Sequence, residues 1–442
     1  MKFRSISELV GPAQVPHRTS VQRWKFCCWL FIASATLNVA MVALIRQHET
    51  LTSIDQDEQE YWDIATTFRD FGLSGVPARR TPLFPILIAA LRSLVGSDYF
   101  HVQIALSVLL AISPVLAFWL VRPRIGSERV AKYASIGFLL WPPFVRYSVT
   151  LYSDSMALLM FLVYLLAYPL SVTPGNANTR RLVQFCIAGG LLGLCVLIKP
   201  LYLIYVPFAA VLAVSGESLF RWRIYAASFL IAGCVTTALP WSTYLSMREG
   251  YPIAVSVNDG ETFAGGLNPG LLNIDKTLFF MTDDGRSTWV GPGKWLPISQ
   301  TGYLSAQELK LPYSKQDALL KTRAFAWIKS HPAATAYLTA RKLLYMWGLY
   351  PFWNGAPQSL LGNLPLLILS CIALFSLWIN RQALPELALF WTLPFFSSAV
   401  CLISWGSWRF RMPGDFGLIV LAAMPLANWR FLLSSVRRLS RS

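Results

Sequence analysis

The sequence predicts an all-α, polytopic membrane protein, and three observations carry that prediction. Of its 442 residues, 55% are hydrophobic and only 14% are charged, against roughly 25% charged in a soluble domain. Mean hydropathy is +0.48. The apolar residues gather into about ten runs near membrane-spanning length. Aromatic residues reach 14%, with 17 Trp, which suits anchoring at two membrane–water interfaces.

The first run, 26–45, follows Arg18, Arg23 and Lys25. At about 20 residues it is longer than a signal-peptide core, so it reads as a first span with a cytoplasmic N-terminus. Spans are expected at 26–46, 101–121, 130–148, 155–171, 183–198, 200–215, 224–246, 358–379, 383–403 and 414–432. With that orientation every inside loop is basic. Arg122, Arg124, Arg129 and Lys132 fall in the first, Arg180 and Arg181 in the second, and Arg221 and Arg223 in the third. Arg381 falls in the fourth, and the tail carries Arg437, Arg438 and Arg441. This is the positive-inside pattern, and an omitted span would break it. It accounts for the net charge of +16 without nucleic acid as a partner, and it puts both termini in the cytoplasm.

The division that follows is a transmembrane catalytic region at 1–246, a large non-cytoplasmic loop at 247–357, and C-terminal helices with a basic tail at 358–442. Cys27, Cys28, Cys186, Cys195, Cys234, Cys371 and Cys401 lie in or beside apolar runs, with neither metal-ligand nor disulfide spacing. They read as small hydrophobes. With four His in the chain, a His-rich metal site is not expected.

The charge that the orientation rule does not explain lies outside. The first outer loop, 47–100, carries Asp55, Asp57, Glu58 and Glu60, then Tyr61, Ile64, Ala65 and Phe68 at helical spacing, with Gly72 as a stop. The spacing predicts a short amphipathic helix lying on the membrane. Its early acids serve either a reaction or the helix dipole. Arg79 and Arg80 follow, either a phosphate clamp or anchors to lipid headgroups. The half-length apolar segment Pro82–Val95 is too short to span and is expected in the interface or as a re-entrant element. Asp154 stands at an outer turn as a functional carboxylate or a helix cap. Lys199 stands at another, meeting an anion or snorkelling. Arg409 and Arg411 follow Trp405 and Trp408 in the last outer turn. Together, acids and cations from four outer turns suit a membrane-borne phosphate beside a catalytic carboxylate.

Seven segments, in order, resemble the GT-C superfamily of membrane glycosyltransferases, in the branch of the protein mannosyltransferases and the lipid A aminoarabinose transferase. They are Asp57-Glu58-x-x-Tyr61-x-x-Ile64-Ala65, Arg80-x-Pro82-x-x-Pro85, Tyr152-Ser153-Asp154, Leu197-x-Lys199-Pro200, Leu239-Pro240-Trp241 with Gly250 and 255–268, His331-Pro332 with Lys342 and Trp347, and Arg409-Phe410-Arg411-Met412-Pro413. Ser242-Thr243 stand where that branch commonly has an Arg-Asn pair, and the large loop is short.

The resemblance implies a GT-C bundle of about ten spans with juxtamembrane helices in the first outer loop. It implies an inverting hexosyl- or pentosyltransferase that moves a sugar from a polyprenyl-phosphate donor to a glycolipid, polysaccharide or protein acceptor at the outer face of the cell membrane. Asp57 is then the general base and Asp154 orients the acceptor or a cation. Glu58 and Tyr61 line the substrate site, while Arg79, Arg80, Lys199 and Arg409 or Arg411 hold the phosphate. No cofactor is required; Asp55-x-Asp57 leaves a divalent cation open. A transporter or flippase of lipid-linked glycan is the competing reading, and a surface-polysaccharide polymerase or ligase the third. The apolar runs are nearly free of the charges that a path across the membrane would need.

Overall fold

A computed structural model describes residues 19–46, 56–169, 179–215, 220–274, 278–281, 287–290, 295–349 and 357–428. Asp55 lies outside the described residues.

The chain begins with helix α1, Thr19–Arg46. The acidic helix expected in the first outer loop follows as α2, Gln56–Phe71, with Asp57 and Glu58 in its first turn. It stops at Gly72, whose φ of 62° is left-handed, a conformation glycine adopts without steric cost. The half-length apolar segment is α3, Leu83–Val95. Arg92 of α3 lies over the Trp62 ring at 4.2 Å and donates to Thr66 Oγ1 at 2.6 Å, so α2 and α3 pack as a pair.

Next come α4 (Tyr99–Leu110), α5 (Ser113–Ile125), α6 (Glu128–Leu140), α7 (Pro142–Ser148) and α8 (Ser153–Ala167). They are followed by α9 (Thr179–Ile198), α10 (Tyr205–Ser215) and α11 (Phe220–Glu249). A Cβ on Gly189 of α9 would stand 1.9 Å from the Leu230 carbonyl oxygen of α11. Only glycine permits that approach, the small-residue contact that membrane helices use.

The large loop holds α12 (Asp259–Gly266), a two-stranded antiparallel hairpin of β1 (Leu278–Met281) and β2 (Ser287–Val290), α13 (Tyr313–Ser330) and α14 (Pro332–Met346). The chain closes with α15 (Pro357–Ile379), α16 (Ala388–Ile403) and α17 (Trp408–Ala427).

The all-α membrane architecture is as expected, but the count of ten full spans is not reproduced. Among the described residues, five helical stretches are long and apolar enough to cross a membrane: 20–45, 99–125, 179–198, 220–249 and 408–427. A sixth exists if α7 and α8, bent by 113°, count as one. The segment expected at 130–148 breaks at Trp141, before Pro142 and Pro143. Those prolines supply no backbone N–H to continue the helix. Segments 200–215 and 388–403 are shorter apolar helices, whereas α15 runs 23 residues, long enough for the span expected at 358–379. A 16-residue helix such as α16 reaches about 24 Å, short of a hydrocarbon core about 30 Å thick. All seven cysteines are free.

The bundle has two distinct ends. At one, Arg23 of α1 pairs with Glu128 of α6 at 2.7 Å, and Lys132 joins at 3.0 Å. There Arg124 donates to the Leu165 and Tyr168 carbonyls at 2.6 Å each, and Arg129 to the Ala427 carbonyl at 3.3 Å. At the other end, the starts of α2, α8 and α17 and the last residues of α1 and α9 surround a cavity.

Candidate active site

The cavity encloses about 610 Å³, and Asp57, Glu58, Tyr61, Arg79, Arg80, Asp154, Lys199 and Arg409 line it, whereas Arg411 does not. Its walls come from the first turns of α2, the Arg79–Thr81 loop, the bend between α7 and α8, the turn after α9, the start of the large loop, and the turn before α17.

Local bonds hold these segments in register. Thr81 Oγ1 donates to the Ile198 carbonyl at 3.0 Å, setting the arginine loop beside Lys199. Glu58 accepts from the Leu151 N–H at 2.7 Å, and the Tyr61 hydroxyl meets Ser153 Oγ at 2.9 Å, so α2 is pinned to the start of α8. The large loop is tied to the arginine loop by Val257 N–H donating to the Ala78 carbonyl at 2.8 Å. A Cβ on Gly266 would stand 2.2 Å from the Ser404 carbonyl oxygen, so glycine lets α12 press on the turn before α17. Buried Lys342 donates to the Leu402 and Ser404 carbonyls at 3.2 and 2.8 Å, capping the end of α16.

Within this frame the charges alternate. Lys199 Nζ lies 2.6 Å from Asp154 Oδ1. Arg409 Nη1 donates to Asp57 Oδ2 at 2.6 Å, and Arg80 Nη2 to Asp57 Oδ1 at 2.8 Å. Arg80 also grips Glu60, with Nε at 3.0 Å from Oε1. Arg79 Nε reaches the same Glu60 oxygen at 2.7 Å. The Arg80 guanidinium covers the Tyr61 ring at 5.0 Å, and Arg409 that of Tyr152 at 5.0 Å.

These contacts set the proton affinities. Burial alone would raise the Asp57 carboxyl, but Arg409 and Arg80 outweigh it and hold the group well below the usual carboxylate range. Burial pulls the Lys199 ammonium down to about 8, with the Asp154 carboxylate opposing. Asp154 is 3% exposed, and its Oδ2 makes no hydrogen bond among the described residues. An unsatisfied buried carboxylate oxygen is a costly feature that a ligand hydroxyl would relieve.

Asp57, Glu58, Tyr61, Arg79, Arg80, Asp154, Lys199 and Arg409 thus converge on one cavity. Arg411 does not join them. It is 3% exposed, its Nε donates to Asp415 at 2.7 Å and its Nη1 to the Met346 carbonyl, so it braces α17 against α14. Sequence reasoning missed Glu60, Arg146, Glu261, Trp295 and Tyr313, all of which line the cavity. Glu60 had a readable signal, standing in the acidic run three residues past Asp57 and so on the same helix face. Glu261 and Tyr313 sit in the large loop, where only the tertiary fold brings them in. Among the described residues no group of His, Cys, Asp and Glu could hold a metal.

With this geometry in hand, solved structures give a likeness. The fold is similar to that of an archaeal oligosaccharyltransferase. The Archaeoglobus fulgidus enzyme in its apo form matches with a TM-score of 0.50 at 15% identity, covering 94% of this chain and 52% of that one. The same organism's oligosaccharyltransferase AglB, in complex with an inhibitory peptide and a dolichol-phosphate, gives a TM-score of 0.49 at 16% identity over the same shares. This chain therefore spans about half the length of those proteins. No family model and no curated protein matches the sequence. At this identity the likeness speaks to fold alone. It assigns neither the superfamily nor the mannosyltransferase-like branch that the motifs resemble.

Proposed function

We propose that this protein is an inverting glycosyltransferase that moves a sugar from a polyprenyl-phosphate donor to an acceptor on the non-cytoplasmic side of the membrane. The observation that carries the reading is the single cavity at one bundle end, where Asp57 and Asp154 stand among Arg79, Arg80, Lys199 and Arg409. A lipid phosphate arriving from the bilayer meets a cluster of charge-assisted donors at the depth where its headgroup lies.

In the proposed reaction the acceptor's hydroxyl or amine attacks the anomeric carbon. The bond from that carbon to the phosphate oxygen breaks, and polyprenyl phosphate leaves with the electron pair. Lys199, Arg80 and Arg409 offset the charge that grows on the leaving oxygen. Asp57 receives the acceptor's proton. A carboxylate held far below its ordinary range is a weak base, so its basicity rises only when the incoming phosphate draws Arg409 and Arg80 toward itself. Asp154 accepts a ligand hydroxyl at Oδ2. Arg146 lines the cavity near the bend, over the Tyr147 ring at 6.0 Å, and forms no ion pair among the described residues. It adds a cation that no internal acid neutralises.

Transfer of labelled sugar in membranes carrying the protein, followed by analysis of lipid-linked sugars in a deletion strain, tests the reading. Loss of one glycan with accumulation of its polyprenyl-phosphate sugar is expected; an unchanged lipid-linked pool contradicts it. Orientation has its own test in a Cys-free background. Exposed Ser74 and Ser305, changed to Cys, should label with an impermeant thiol reagent in intact cells; labelling only after permeabilisation contradicts the proposed side.

A further inference from the structure

Five carboxylates line the cavity: Asp57, Glu58, Glu60, Asp154 and Glu261. Asp57, Glu60 and Asp154 are paired with cations, and Glu58 accepts a backbone N–H. Glu261 makes no ion pair among the described residues. Its Oε2 accepts from the Tyr313 hydroxyl. Burial raises its carboxyl above the ordinary value, with the Tyr313 bond and the Arg80 and Arg79 charges opposing.

The position of Glu261 is built. It lies in the first turn of α12, where the Glu261 N–H donates to Asp317 Oδ1 at 2.8 Å and the Gly260 N–H to Oδ2 at 3.2 Å. Asp317 is 3% exposed. A Cβ on Gly260 would stand 1.9 Å from the Asp317 carbonyl oxygen, so α12 and α13 touch backbone to backbone.

The charges also give the cavity a direction. Contact by contact the order runs Asp154, Lys199, Arg409, Asp57, Arg80, Glu60, Arg79. Arg79 then lies over the Tyr313 ring at 5.6 Å, and Tyr313 bonds Glu261. Lys199 and Arg409 stand toward the first end of this chain of contacts, and Glu261 stands beyond its last. Half-buried Trp295 and Trp405 line the cavity too, their ring centroids 6.1 Å apart. Apolar ring faces beside a hydrogen-bond-accepting carboxylate match the two faces of a sugar, its C–H surface and its hydroxyl edge.

We propose that Glu261, Tyr313, Trp295 and Trp405 form an acceptor subsite for a neutral carbohydrate, in which Glu261 accepts hydrogen bonds from the acceptor's hydroxyls. This rests on reading the cavity as a glycosyl-transfer site and names its acceptor class. Glu261 selects and positions the acceptor, leaving proton removal to Asp57. An anionic sugar is disfavoured because the nearby Arg79 and Arg80 are already paired with Glu60 and Asp57 and leave Glu261 without an ion pair among the described residues.

The test uses the full chain in lipid nanodiscs, first measuring binding of a polyprenyl phosphate and then applying the loaded discs to arrays of neutral glycans, uronic-acid glycans and peptides. Wild type should be retained on neutral glycans, at least tenfold more weakly on uronic-acid glycans, and not on peptides. Glu261→Gln and Trp295→Ala should each weaken glycan retention at least tenfold with polyprenyl-phosphate binding within twofold. Glu261→Asp should recover part of the loss. Unchanged polyprenyl-phosphate binding also shows that the variants are folded. Retention on peptides instead of glycans, no retention on either, or full glycan retention by Glu261→Gln would overturn the proposal. Failure of wild type to bind polyprenyl phosphate would instead sink the donor reading, and is scored separately.

Discussion

The two ends of the helical bundle use the same residue types for different work. At the basic end, Arg124 and Arg129 spend their guanidiniums on carbonyls at the ends of α8 and α17. These are orphan groups that every helix terminus must satisfy. At the cavity end, Arg79, Arg80, Lys199 and Arg409 face carboxylates across a space large enough for substrate. Arginine count distinguishes neither end. What separates them is the partner, since a cation bound to a carbonyl serves architecture, whereas one shared between an acid and an open cavity can exchange its partner for a phosphate.

The largest expected effect breaks the cavity end. Asp57→Asn keeps shape and hydrogen bonding but removes the proton acceptor. Sugar transfer should fall on the order of 10²-fold or more, the usual worth of a general base. Polyprenyl-phosphate binding should hold or strengthen, because Arg80 and Arg409 lose a competing anion. Near-normal transfer by Asp57→Asn, with Asp154→Asn inactive, would move the base to Asp154.

Next in size is Lys199→Ala. It removes a phosphate ligand and leaves Asp154 buried without its cation, so donor affinity should drop roughly 10- to 100-fold, as when one member of a buried charged pair is truncated. Arg409→Ala should weaken donor binding similarly, whereas Arg411→Ala should lower thermal stability first. Equal losses of donor affinity at 409 and 411 would remove the distinction drawn between them.

Lys199 also gives a pH signature. Its ammonium is lowered from 10.5 to about 8, so it is charged at pH 7 and mostly neutral at pH 9. Donor affinity should therefore decline as pH rises through 8, by up to about tenfold per unit, the limit for one linked proton. Lys199→Arg keeps its charge and should flatten that decline. A profile unchanged in Lys199→Arg would assign the titration elsewhere.

The smallest effect belongs to the basic end. Arg124→Ala should leave donor affinity alone and cost about 1–3 kcal/mol of stability, the penalty for unsatisfied buried acceptors, read as a lowered melting temperature. A selective loss of donor binding there would erase the contrast between the ends.

Much of this was legible in the sequence because it is local. The α2 helix, its stop at Gly72 and the half-length α3 follow from spacing and from glycine's backbone freedom. The outer cations stood out against the orientation rule. Helix length was less legible, since hydropathy does not see the break at Trp141-Pro142 or that the run at 388–403 closes after 16 residues. The role of Arg411 was hidden for another reason. Asp415, one turn on within α17, is a local partner, but the Met346 carbonyl 65 residues back becomes one only once α17 packs on α14. Glu261 and Tyr313 lie 52 residues apart, in a loop with no periodic signal.

The central claim is that the cavity end, and not the basic end, receives a lipid phosphate. Its most direct test is an experimental structure of the full chain in nanodiscs with a bound polyprenyl phosphate. The account requires the phosphate within hydrogen-bond distance of Lys199 and Arg409, with the Arg409–Asp57 separation of 2.6 Å lengthened. A phosphate seated among Arg122, Arg129 and Arg181, or a cavity whose ion pairs are unchanged with the lipid bound elsewhere, would contradict it.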